Sequence, residues 1–212
     1  MIKAKEWIIR TVSGVVFTAV MLFCILYSEY TGWALFAVIA AGCFYEWFRL
    51  MKTSNFNWFF KNIFPFFYIC IPAGTACYLC RVKPELLLSL FVLIWVNDIM
   101  AFVIGSLFGR HKFSSYSPSK TWEGTVGGVI FSAGAGVLIW YFFGKKDILI
   151  WWILFGITVG AASVLGDLFE SYIKRRAGVK DSGKMMPGHG GFLDRFDSFL
   201  FAALLAVIIL IV

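Results

Sequence analysis

Two pairs of acids are the residues best suited to do chemistry: Asp167 with Glu170, and Asp194 with Asp197. The members of each pair are three residues apart, so on a helix each pair shares one face. Between them runs SYIKRRAGVKDSGKMMPGHGGFLDRFD, residues 171–197, which holds six of the chain's nineteen Lys and Arg. In a chain with only 15% charged residues, fold stability alone does not account for that clustering. Carboxylates that converge without a Cys or His cluster suit a hard, oxygen-seeking cation such as Mg²⁺ better than zinc. His111 and His189 are the only histidines, and both lie in basic loops. The glycines between Gly178 and Gly191 let backbone N–H groups approach an anion closely, and adjacent Lys and Arg supply charge for phosphate oxygens. The combination suits a polyphosphate bound through a metal.

A second loop offers similar groups. Gly109-Arg110-His111-Lys112 follows one apolar run, and Ser117-Pro118-Ser119-Lys120-Thr121-Trp122-Glu123-Gly124 leads into the next. The N-terminus of that next helix would present free N–H groups and a positive dipole end to an anion. The structural alternative is that Ser and Thr only cap the helix. Gly105, Gly109, Gly124, Gly128, Gly156 and Gly160, at G-x-x-x-G spacing, are read as close helix-packing positions.

The elements that must position these residues are membrane helices. The chain is 60% hydrophobic and 19% aromatic, with a mean hydropathy of +0.83. Its apolar runs of about twenty residues are long enough to cross a bilayer core at roughly 1.5 Å per residue. A soluble domain of this length has no place for so much apolar surface. The expected class is an all-α, polytopic helical membrane protein with about seven transmembrane helices, in a range of about six to nine. The spans fall near residues 8–27, 32–51, 63–80, 86–108, 124–143, 148–168 and 196–212. The first follows Lys3, Lys5 and Arg10 and resembles a signal peptide, but it lacks a small-x-small cleavage pattern and is read as a retained anchor. Residues 1–212 are read as a single integral-membrane domain.

With the N-terminus cytosolic, fifteen of the nineteen Lys and Arg fall on the cytosolic side, and Arg81, Lys83, Lys145 and Lys146 fall outside. That asymmetry is the positive-inside pattern. The net charge of +7 therefore faces anionic lipid headgroups, and nucleic acid is not an expected partner. Cys24, Cys43, Cys70, Cys77 and Cys80 lie in or at the ends of apolar runs and are read as small packing residues. Asn97 and Asp98 fall near the middle of the fourth run. A carboxylate at such depth costs roughly 2.5–3.5 kcal/mol on insertion scales, so it faces a cavity, a partner or an ion. A cation or proton transporter would also place acids in spans. Here, however, the acids sit beside a basic glycine-rich loop rather than in a line across the membrane.

Ser171-x-x-Lys174-Arg175, Lys180-Asp181-x-Gly183 and Pro187-Gly188-His189-Gly190-Gly191-x-x-Asp194-Arg195-x-Asp197 together resemble the signature of the phosphatidate cytidylyltransferases, also called CDP-diacylglycerol synthases. Asn97-Asp98, Gly105, Gly109 to Lys112, Ser117 to Gly124 and Gly166-Asp167-Leu168-x-Glu170-Ser171 resemble the same family, so residues 95–197 carry its motifs. Met186 stands where the family has another apolar residue, and Ser119 where it commonly has Lys. The chain is also short for the family, which predicts fewer N-terminal spans.

The resemblance implies a nucleotidyltransferase of phospholipid biosynthesis that converts CTP and phosphatidate to CDP-diacylglycerol and pyrophosphate. It works at the cytosolic face of a membrane, expected to be a bacterial inner membrane. It implies a metal centre on Asp167 and Asp194 holding Mg²⁺, with K⁺ as a candidate second cation, and Asp197 or Asp98 assisting. Lys174, Arg175, Lys180 and His189 are expected catalytic contacts to triphosphate or lipid phosphate. Arg110, Lys112, Ser117, Lys120, Arg195, Gly190 and Gly191, with Asp98, are expected to complete substrate binding. A homodimer is a further expectation. A CDP-archaeol synthase or a CTP-dependent polyprenol kinase are the neighbouring alternatives.

Overall fold

The computed structural model describes residues 2–211 apart from 115, 146, 184 and 186–189, and side chains from residue 11 to 206. The described residues form helices α1 (Ile2–Tyr27), α2 (Glu29–Thr53), α3 (Trp58–Asn62), α4 (Ile71–Val82), α5 (Pro84–Phe108), α6 (Trp122–Phe143), α7 (Leu149–Arg176) and α8 (Leu193–Ile211), with no strand. Among the described residues, five segments are long and apolar enough to cross a membrane: Glu29–Thr53, Trp58–Val82, Pro84–Phe108, Trp122–Phe143 and Leu149–Arg176. α1 and α8 occupy the places of the first and last expected spans. The chain is an all-α polytopic membrane protein.

Two segments depart from the expected boundaries. The third span is interrupted by a π-helical turn at Phe66–Cys70, between Pro65 and Pro72. Neither proline can donate an intrahelical hydrogen bond, and the wider turn accommodates that loss. The sixth span does not end at Leu168 but continues to Arg176, because nothing breaks the helix before Gly178. There the Val179 N–H reaches Lys174 O at 3.0 Å and the Gly178 N–H reaches Arg175 O at 3.1 Å. Gly178 takes a φ of +73°, which completes a Schellman cap. Lys174, Arg175 and Arg176 thus sit in the last turn, where the helix dipole favours cations.

The chain divides into two compact units, each discontinuous in sequence. The first comprises residues 1–84 and 173–196. Its centre is α2, whose buried residues Ile39, Gly42, Cys43, Glu46, Trp47, Leu50 and Met51 recur at helical spacing. α1 and α4 pack on this helix. Trp47 meets Phe60, Phe64 and Tyr68 at ring separations of 5.4–5.7 Å. Those three rings, with Phe56, form a stacked series spaced four residues apart.

The second unit comprises residues 85–172 and 197–212. Small residues let its helices approach. A Cβ on Gly128 would stand 2.7 Å from Asn97 O, and one on Gly156 would stand 2.6 Å from Ser132 O. The Ser132 hydroxyl bridges this contact by donating to Gly156 O at 2.9 Å. The Phe91 and Phe199 rings stack at 4.9 Å and tie α5 to α8.

Candidate active site

In the second unit α7 crosses α8 at Gly166. A Cβ there would collide with the Asp197 carbonyl oxygen and stand 3.0 Å from Ser198 Cα. The Ser198 hydroxyl donates to Ser163 O at 3.2 Å one turn away, which fixes the crossing. This close approach carries Asp167 and Glu170, on one face of α7, up to Asp197. One oxygen from each of the three lies within 4.8 Å of the others. Glu170 and Asp197 are buried. Replacing Gly166 with Ala is expected to push the two backbones apart, lowering thermal stability in detergent by ~1–3 kcal/mol and turnover with it. An unchanged melting temperature would show that the crossing is not close-packed.

The 109–121 loop delivers a cation to this cluster. It is closed on itself by an antiparallel bridge between Lys112 and Thr121. Hydrogen bonds from Phe113 N to Lys120 O (2.9 Å) and from Trp122 N to His111 O (3.0 Å) complete the closure. The Thr121 hydroxyl caps α6 by accepting from Gly124 N, and Glu123 binds His111 Nδ1 at 2.6 Å. Glu123 is thereby committed to loop structure. Held this way, Lys120 Nζ lies 2.6 Å from Asp167 Oδ2. The Ser171 hydroxyl donates to the other oxygen of Asp167 at 3.3 Å.

Deeper in the same unit, Asp98 Oδ1 accepts from the Ser163 hydroxyl at 3.0 Å and from Asn97 Nδ2 at 3.1 Å. Asn97 and Ser163 are buried, and neither was singled out by spacing or motif as a group holding Asp98. Ser163 stands one helical turn before Asp167, so a small polar residue at that interval was the only available signal.

In the first unit Asp194 has a different set of partners. Its Oδ1 lies 2.7 Å from Lys174 Nζ, and both side chains are largely buried, at 13% and 9% exposure for Lys174 and Asp194. Its Oδ2 accepts from Ser182 N at 3.0 Å and from Gly191 N at 2.9 Å. Gly190, at a φ of +88°, brings the chain back over this carboxylate. Gly191 is buried, whereas Arg175, Lys180 and Arg195 are exposed. Arg175 Nη1 donates to Val179 O at 3.1 Å. Arg110 and Lys112 are exposed and Ser117 is half-buried. His189 lies outside the described residues. The second unit thus groups Asp167 with Glu170, Asp197 and Lys120, and the first groups Asp194 with Lys174, Ser182 and Gly191.

Residues 53–212, three quarters of the chain, match the cytidylyltransferase family. The chain belongs to the cytidylyltransferase family. A phosphatidate cytidylyltransferase of Synechocystis sp. is 48% identical over 120 residues, covering 53% of this chain and 39% of that protein. One of Staphylococcus haemolyticus is 45% identical over 127 residues, covering 59% and 48%, and one of Staphylococcus aureus is 44% identical over 128 residues with the same coverage. The chain therefore spans about half the length of the curated relatives it matches. The matched residues include both loops and all four acids of the two pairs.

Hard divalent cations take carboxylate oxygens, and the grouped oxygens of Asp167, Glu170 and Asp197 could serve as donors to one such ion. The donor set fits.

Proposed function

We propose that this cytidylyltransferase joins CTP to phosphatidate, forming CDP-diacylglycerol and releasing pyrophosphate. The observation that carries the reading is the convergence of Asp167, Glu170 and Asp197 beside the Lys120 ammonium. The substrates are those that the similar phosphatidate cytidylyltransferases are named for. The acids would hold Mg²⁺, which would offset charge on the phosphates as the leaving group departs.

A phosphate oxygen of the lipid attacks the α-phosphorus of CTP. The bond to the oxygen bridging the α- and β-phosphorus breaks, and pyrophosphate leaves with that electron pair. The attacking oxygen is already anionic near neutral pH, so no side chain has to remove a proton. What the chain must supply is position and positive charge. Lys120, delivered by its closed loop, is paired with Asp167. Arg110 and Lys112 in the second unit, and Arg175, Lys180 and Arg195 in the first, are exposed and are proposed to meet phosphate oxygens. Lys174 contributes by fixing Asp194, the carboxylate that gathers the backbone N–H groups of Ser182 and Gly191. Asp194 is also proposed as an oxygen donor to the ion.

The reaction is proposed to run at the cytosolic face of a bacterial inner membrane, where a lipid phosphate and soluble CTP can meet, a reading that the basic loops support. Purified protein in detergent, given CTP, phosphatidate and Mg²⁺, should release pyrophosphate and form a CDP-lipid. Chelation with EDTA should stop turnover and added Mg²⁺ restore it. Transfer of the γ-phosphate to an alcohol, or turnover insensitive to chelation, would overturn the proposal.

A further inference from the structure

Glu46 lies on α2, upstream of the residues that match the family, and carries no role in the reaction above. It is fully buried in a helix that is otherwise mostly apolar. Its Oε2 accepts from the Ser182 hydroxyl at 2.8 Å and from Leu193 N at 2.9 Å. The two donors stand at the two ends of the glycine-rich segment.

Sterics point the same way. A Cβ on Gly183 would collide with the Glu46 carboxyl group, and so would one on Gly191. One turn earlier on α2, a Cβ on Gly42 would stand 2.7 Å from the Phe192 ring. A single face of α2, from Gly42 to Glu46, is thus moulded to Ser182, Gly183, Gly191, Phe192 and Leu193. The other carboxylate on the segment, Asp194, grips the same two places through Ser182 N and Gly191 N. Two acids from opposite ends of the chain therefore clamp the segment's two feet together.

We propose that Glu46 is a positioning residue: it holds Ser182 and Leu193 together, and so sets where Lys180 and Arg195, exposed just beside them, meet phosphate. The proposal rests on the reading of that segment as part of the nucleotide site. It also explains two of the segment's glycines without appeal to φ: Gly183 and Gly191 leave the space that the carboxyl group occupies.

A double-mutant cycle tests the coupling. Glu46→Ala, Gly183→Ala and their combination would be prepared as full-length protein in detergent, with size-exclusion elution as the folding control. Two readouts would be followed: the rate of trypsin cleavage after Arg175, Arg176 or Lys180, and the KM for CTP. Gly183→Ala should raise cleavage and KM about tenfold in the native background but change them less than about twofold when Glu46 is already Ala. Glu46→Gln, which keeps an oxygen for Ser182 and Leu193, should stay within about threefold of the native protein. If Gly183→Ala is equally harmful in both backgrounds, or Glu46→Ala leaves cleavage unchanged, the proposal is overturned. Should Glu46→Ala not fold, Gly183→Ala and Glu46→Gln decide alone: a tight segment in the first, or an open one in the second, overturns it. The cleavage rates need no turnover, so a protein inactive on CTP would defeat the proposed function while leaving this test intact.

Discussion

Asp167→Asn is expected to lower CDP-diacylglycerol formation by about 10²–10³-fold while changing thermal stability little. The contrast follows from where the residue sits. Its ion pair with Lys120 is partly exposed, with side-chain exposures of 36% for Asp167 and 24% for Lys120. Such a pair contributes only about 0–1 kcal/mol to folding. Asparagine keeps the shape and still accepts from the Ser171 hydroxyl, so the helix has no reason to move. What disappears is the one charge that both neutralises Lys120 and stands at the edge of the Glu170 and Asp197 cluster. Loss of a hard oxygen donor should also raise the Mg²⁺ concentration needed for half-maximal rate. Lipid-product formation across a Mg²⁺ titration, beside a melting curve, checks both halves. Turnover within threefold of native, or a large loss of stability, would remove Asp167 from the centre of the mechanism.

The second large effect concerns Lys174 and Asp194. Because this pair is nearly dry, Lys174→Met should cost about 3–5 kcal/mol by stranding a buried carboxylate. Asp194→Asn should be milder for stability, since an amide oxygen can still accept from Ser182 N and Gly191 N. The combination Lys174→Met with Asp194→Asn should regain much of the lost stability, because neither charge is then left alone. It should not regain turnover, because Asp194 is proposed to give an oxygen to Mg²⁺ as well. Thermal melting and CDP-lipid formation on the four proteins separate the roles. A double variant that is both stable and active would reduce Asp194 to an ion-pair partner.

The helices were legible because bilayer crossing demands long apolar runs, and those runs survive in composition alone. The cap at Gly178 could also have been anticipated: the basic residues before it belong to a last helical turn, not to a loop. Hydropathy bounds the sixth span near residue 168, whereas the helix itself runs on through the charged residues to Arg176. The π turn at Phe66–Cys70 was not legible, since two prolines seven residues apart mark an irregularity without saying what form it takes.

The chemistry divides in the same way. Spacing by itself put Asp167 beside Glu170 on one face, because 3.6 residues per turn settles neighbours within a helix. It singled out all four acids and the cations between them. It could not choose partners across helices. Asp197 meets Asp167 and Glu170 because α7 and α8 touch at Gly166, whereas Asp194 reaches Lys174, Ser182 and Gly191. Glu46 escaped altogether: its partner Ser182 is 136 residues away in sequence, and a lone acid in an apolar helix signals function without naming it. Sequence determined which groups could act, through local periodicity and the energetic cost of charge in lipid. Tertiary structure decided which oxygen faces which cation, because that choice depends on backbone approach between segments far apart in the chain.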